Sequence, residues 1–136
     1  MNSKDVLEEY VSFIGKGRNH NYRKIASHTY VVKTSDAFGN PIYGVQYHRT
    51  VVCGIREDGS YFINNGGYFT VTTKKRINDF LSKVGNNRQI IQRNFQWFLS
   101  GFNIGQGFMV FDVNNEMTSC SSVECFAFPL TEEIGL

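Results

Sequence analysis

The sequence predicts an α+β fold: a twisted antiparallel sheet of about six to eight short strands, with an N-terminal helix and a short central helix on one face. Three observations carry this expectation. β-branched and aromatic runs, punctuated by Gly, Asn and Asp turns, recur from Thr29 to Phe128. Apolar residues at helical spacing mark residues 3–14 and 74–81. The strands do not alternate regularly with helices, and their links are short, so neighbours in sequence should pair antiparallel.

Taken in order, Ser3 to Ile14 forms the first helix. Ser3 is placed to cap it, Asp5 suits the positive end of its dipole, and Val6, Leu7, Tyr10, Val11 and Ile14 make an apolar stripe. Gly15 and Gly17 end it, and a basic connection runs from Lys16 to Lys24. Thr29 to Lys33 is a strand, and Asp36 to Pro41 a turn. Ile42 to His48 alternates, with Tyr43, Val45 and Tyr47 on one face and Gln46 and His48 on the other. Val51 to Ile55 follows, and Glu57-Asp58-Gly59 turns the chain into Ser60 to Asn64. Asn65-Gly66-Gly67 turns it again, into a short strand from Phe69 to Thr72. Thr73 is the expected cap of a second helix, Lys74 to Leu81, whose buried stripe is Ile77, Phe80 and Leu81. Gly85-Asn86-Asn87 closes this helix. Gln89 to Arg93 and Phe95 to Leu99 are strands, with Trp97 expected inside. A glycine-rich loop spans Ser100 to Gly107, and Phe108 to Val113 and Val123 to Phe128 are the last strands.

A chain of 136 residues with 41% hydrophobic content suits one domain with a sizeable core. No apolar stretch approaches the ~20 residues of a membrane span, and no apolar signal region opens the chain. Cys53, Cys120 and Cys125 are too few, and odd in number, for a disulfide framework, and no histidine stands near the last two. Cys53 and Cys125 should pack as small apolar residues. Neither a metal nor a cofactor is expected. Charge is segregated: residues 15–93 hold thirteen Lys or Arg against four acids, a net of +9, whereas residues 94–136 hold five acids and no Lys or Arg. Such segregation can steer an acidic partner, unless folding mixes the two signs.

Several segments resemble a known family. Tyr47-His48-Arg49-Thr50-Val51-Val52, Asp58-Gly59, Asn64-Asn65-Gly66-Gly67-Tyr68 and Thr70-Val71-Thr72-Thr73-Lys74-Lys75-Arg76-Ile77-Asn78 resemble a family of small tailed-phage proteins. Its members carry Leu-His-x-Thr, Asp-Gly, and Asn-Ser-Gly-Gly-Trp-x-Thr-Val-Thr-Thr-x-x-Arg-Ile-Asn. Ser27-His28-Thr29-Tyr30 stands where the family has Asn-Thr-Tyr, and Ile91 to Phe98 looks like its next strand. The resemblance covers roughly residues 26 to 99, with Tyr47 for Leu, Asn65 for Ser and Tyr68 for Trp as departures. It implies a phage-encoded accessory protein in the cytoplasm of the infected bacterial host, where such proteins modulate host enzymes or block defence systems. It transfers no catalytic residue.

Four groups of residues could carry function. Gly66, Gly67, Thr72, Thr73, Lys74, Lys75 and Arg76 could hold an anion at a helix start, or be a turn, a cap and solvated cations. No Walker loop is present. His28, His48 and Thr50 offer a general base without an evident nucleophile, and His20, His28 and His48 lack metal-site spacing. Arg18, Tyr22, Arg23 and Lys24 interleave cations with an aromatic, as nucleic-acid grooves do, or form a solvated connection. Phe102 and Ile104 could contact a partner or tuck into the core. No catalytic constellation emerges. The expected partner is a host protein or nucleoprotein complex, with direct nucleic-acid binding as the alternative and no membrane partner.

Overall fold

A computed structural model describes residues 1–36, 38–64, 70–93, 96–99, 102–103 and 109–117, with the backbone alone at Trp97, Phe102 and Asn103. The elements are α1 Ser3–Gly15, β1 Tyr22–Ala26, β2 Thr29–Ser35, β3 Pro41–Tyr47, β4 Thr50–Arg56, β5 Tyr61–Ile63, α2 Val71–Lys83, β6 Ile90–Arg93, β7 Gln96–Leu99, β8 Phe102–Asn103 and β9 Met109–Phe111. Strands β1 to β5 pair consecutively and antiparallel, and β9 adds to β5, giving a six-stranded sheet. Strands β6, β7 and β8 make a second, three-stranded antiparallel sheet. The α+β class and the antiparallel pairing agree with the sequence.

Both helices cover one face of the large sheet. Val6, Tyr10 and Ile14 of α1 and Ile77, Phe80 and Leu81 of α2 bury against Val31, Val45, Cys53, Ile55 and Ile63. Each such aliphatic or aromatic side chain contributes about 1.5–3 kcal/mol on burial. The alternate residues point the other way: Tyr30, Val32, Ile42, Val51, Phe62 and Val110 form a second buried cluster. A register shift at Val45/Gln46 leaves Val52 as an extra residue of β4. Val52 and Cys53 therefore both face the helices, while Val51 faces away. Gly44 and Gly54 are cross-strand partners in β3 and β4, and the Phe62 ring occupies the space that a Gly54 side chain would take.

The element ends carry several corrections. Asn2, not Ser3, caps α1: its side chain accepts the Asp5 N–H at 3.0 Å and the Asp5 carboxylate accepts the Asn2 N–H at 3.0 Å. Ser3 is buried and its hydroxyl donates to the Gly59 carbonyl at 2.6 Å, which ties the helix to the β4–β5 turn. Val11 is 44% exposed, because the core-facing line of α1 runs through Val6, Tyr10 and Ile14 and passes it by. Tyr22 to Lys24, expected as connection, belong to the edge strand β1, Tyr22–Ala26; an edge strand tolerates the charges that made them read as loop. Val71 and Thr72, expected in a strand, open α2. The cap is Thr70, whose Oγ accepts the Thr73 N–H at 3.1 Å, so a single capping bond overrides the β preference of the threonines. The C-terminus of α2 is a Schellman motif: the Gly85 and Asn86 N–H groups reach Ser82 and Leu81 carbonyls at 3.1 and 2.9 Å, with Gly85 at φ +78°. The Asp58-Gly59 turn forms as expected, with Gly59 at φ +89°. The expected strand Val123 to Phe128 lies outside the described residues, as does the Trp97 side chain.

Candidate functional site

A cleft of about 290 Å3 opens between α1, α2 and the sheet. Its apolar floor is Tyr10, Phe13, Val31, Val45 and Phe80, with Ile25 of β1 at one side. Its rim is charged: Glu9 of α1, and Arg76, Asp79 and Lys83 of α2. The local reason is helical pitch. Positions 76, 79, 80 and 83 share one flank of α2, so Phe80 turns inward while its charged neighbours border the gap.

The rim acids are matched by cations. Lys83 pairs with Glu9 across the two helices and its ammonium lies 5.6 Å from the Tyr10 ring centroid. Lys75 bonds Asp79 at 3.0 Å, one turn along α2. Both pairs are well solvated, and such pairs contribute at most ~1 kcal/mol. Arg76 differs. Its Nε is buried and has no hydrogen-bond partner, and Arg76 makes no ion pair among the described residues. A buried donor left unmet costs about 1–3 kcal/mol.

The protonation states nearby make the floor inert. Burial, then the proximity of Cys53 and Glu9, push the Tyr10 hydroxyl well above its ordinary value, so it stays neutral. Burial pushes the Cys53 thiol up to about 12, against weaker opposing effects of the Val45 backbone and Lys83. Cys53 therefore packs as a small apolar group, as expected, rather than serving as a nucleophile.

The basic segment reaches the same cleft. The Arg23 guanidinium sits 4.3 Å from the Phe13 ring centroid and donates to the Phe13 carbonyl at 3.0 Å, so it braces a floor residue. Tyr22 meets Tyr30 edge-on at 5.7 Å, while Arg18 and Lys24 are exposed. The anion-site candidates are dispersed. Thr73 is buried and bonded to Thr70, Thr72 is half-buried, and Lys74 begins the second turn, its N–H already bonded to the Thr70 carbonyl at 3.0 Å. Gly66, Gly67 and Ile104, and the Phe102 side chain, lie outside the described residues.

The second group does assemble. His28 and His48, at the tips of the β1–β2 and β3–β4 hairpins, stack with ring centroids 4.3 Å apart, and the His48 N–H donates to the His28 carbonyl at 2.8 Å. Both residues have positive φ, 52° and 54°, a conformation that costs a non-glycine residue roughly 1 kcal/mol or more. Tyr47 packs edge-on against His48 at 4.5 Å, and Gln46 donates to the His48 carbonyl at 2.9 Å. Thr50 opens β4 opposite Tyr47. Among the described residues no three His, Cys, Asp or Glu side chains come together as a metal site would need.

The profile of the Kyanoviridae Gp96 protein family matches residues 5–120. The chain belongs to this family. The match makes it a phage protein, in agreement with the motif resemblance. It is also wider than that resemblance: residues 5–15 of α1 and all of β9, which fall outside the motif run, lie within it. No curated protein and no solved structure gives a significant match. Among the described residues no helix is long and apolar enough to cross a membrane. The interhelical cleft was missed in the sequence because its walls come from α1, β1, β2, β3 and α2; the only local signal was the flank Arg76, Asp79, Phe80 and Lys83.

Proposed function

We propose that this phage protein is an accessory factor that binds and modulates a host protein, with the α1/α2 cleft and the adjoining β1 edge as its docking face. A component of a bacterial defence system, met in the cytoplasm of the infected host, is the class of target in view. One observation carries the reading: an open apolar floor is bordered by a cation, Arg76, whose buried Nε is unmet among the described residues. A buried donor left unmet is costly, and the Arg76 guanidinium stands at the rim of the cleft, where a partner's carboxylate can approach it. The segregated charge supports the same reading, because the net +9 of residues 15–93 favours approach of an acidic surface.

Affinity capture from host lysate, run with and without nuclease, tests this. A specific protein retained after nuclease treatment is the expected result. Loss of the captured material on nuclease treatment would move the assignment to nucleic acid. In that case the triple change of Lys74, Lys75 and Arg76 to Glu should weaken binding in a gel shift, and affinity should fall steeply with salt. Capture of nothing specific would refute both.

A further inference from the structure

We propose that the α1/α2 cleft recognises an acidic segment of a protein partner, one apolar side chain resting on Tyr10, Val45 and Phe80 while Arg76 donates to an Asp or Glu carboxylate beside it. This rests on the reading of the protein as a partner-binding factor and adds the chemistry of what is bound.

Size comes first. At about 290 Å3 the cleft is at the small end of ligand sites. It suits a side chain and its neighbour better than a cofactor. Charge comes second. Glu9 is held by Lys83 and Asp79 by Lys75, so both rim acids are already answered. Arg76 is the rim charge left over among the described residues, and its guanidinium fork matches a carboxylate in plane and spacing. A carboxylate at the rim answers this charge, and a neutral segment would not. Third, the floor is apolar, whereas a nucleic-acid backbone needs several exposed cations in a track. Arg23, stacked on Phe13 at the same cleft, adds positive potential without occupying the floor.

The test is a display library of random seven-residue peptides, panned on the full chain. Enriched peptides should place an aliphatic or aromatic residue within two positions of Asp or Glu. Affinity of the best peptide should fall about 10- to 100-fold on Arg76→Gln, and similarly when its acid is changed to the amide. The Arg76 Nε–H resonance should shift on saturation with that peptide and stay in place with the amide form. Arg76→Gln should unfold no earlier than the native chain, which separates lost binding from lost folding. No enriched peptides, enrichment without acids, or unchanged affinity in Arg76→Gln would overturn the proposal. A host protein captured equally well by Arg76→Gln would overturn it while leaving the partner-binding reading intact. Failure of capture would strike that reading itself.

Discussion

The back of the large sheet depends on two glycines that face each other. A Cβ on Gly54 would stand 2.6 Å from Ile42 Cγ2 and 2.6 Å from Phe62 Cε1. Unstrained carbon pairs sit about 3.5–4.0 Å apart, so Gly54→Ala must move two fully buried side chains by about 1 Å each. Overpacking of this kind costs about 1–3 kcal/mol. For a chain of 136 residues that is a fall in Tm of roughly 3–15 °C. Gly44→Ala should be worse, because its Cβ would meet the Cys53 carbonyl oxygen at 1.9 Å and backbone yields less than a side chain. Gly15→Ala is the control: nothing lies within 4 Å of that Cβ, and removing a helical glycine should stabilise by about 0.5–1 kcal/mol. The assay is thermal and urea unfolding of the three variants, with Phe62→Leu added to Gly54→Ala to test for partial rescue. A Gly54→Ala protein as stable as the native one would refute the packing assigned to this face, as would a loss that Phe62→Leu fails to relieve.

Tyr61→Phe should cost about 1–3 kcal/mol in urea unfolding, because the Tyr61 hydroxyl accepts from Asn86 at 2.9 Å and donates to Asn115 at 2.6 Å, and both amides would lose that partner; a neutral change would show that water replaces it. Asn78→Ala should detach β6 from α2 and cost on the order of 1–3 kcal/mol, since its side chain meets both the N–H and the carbonyl of Ile90 at 2.7 and 3.1 Å; equal stability and equal exchange protection of the Ile90 amide would refute this. Burial pushes the Asp36 carboxyl up, but bonds from Asn40 and Phe38 and the charge of Arg56 outweigh it and hold it below its ordinary 3.8. A depressed folded value means stability that is present above pH 3.8 and drains as pH falls through the lower folded value. Asp36→Asn should therefore flatten the acid limb of the urea midpoint between about pH 5 and pH 2.5; an unchanged slope would refute the assignment. Cys53 should resist alkylation at pH 8 in the native chain and react once unfolded, as read by peptide mass mapping; ready native labelling would contradict its burial.

What could be read from sequence was local. The stripe Ile77, Phe80 and Leu81 needs only helical pitch, the Asp58-Gly59 turn needs only a residue free to adopt positive φ, and Gly85 ends α2 for the same reason. The alternation of Val31 with Val32, and of Val45 with Ile42 and Gln46, follows from strand geometry alone. Errors arose where two local signals competed. Thr70, Thr72 and Thr73 favour strand by side-chain shape and a helix start by hydrogen bonding, and capping prevailed. The charges of Arg23 and Lys24 read as loop, although a strand at the sheet edge tolerates them: Arg23 packs on Phe13 and Lys24 is exposed.

The candidate site divides the same way. By itself the sequence determined the class of fold, the two helical stripes, the phage resemblance and the basic run Lys74-Lys75-Arg76 as a candidate site. It could not distinguish Arg76 from Lys74 and Lys75, because neighbours on a helix diverge by about 100° and only packing decides which flank is enclosed. Tertiary structure made that choice. It set α1 beside α2, answered Glu9 with Lys83 and Asp79 with Lys75, and left Arg76 Nε buried without a partner among the described residues. It also stacked His28 on His48, twenty residues apart in sequence, because β2 and β3 return the chain to the same end of the sheet. Both outcomes depend on distances between elements, and those are set by how the apolar faces close against one another.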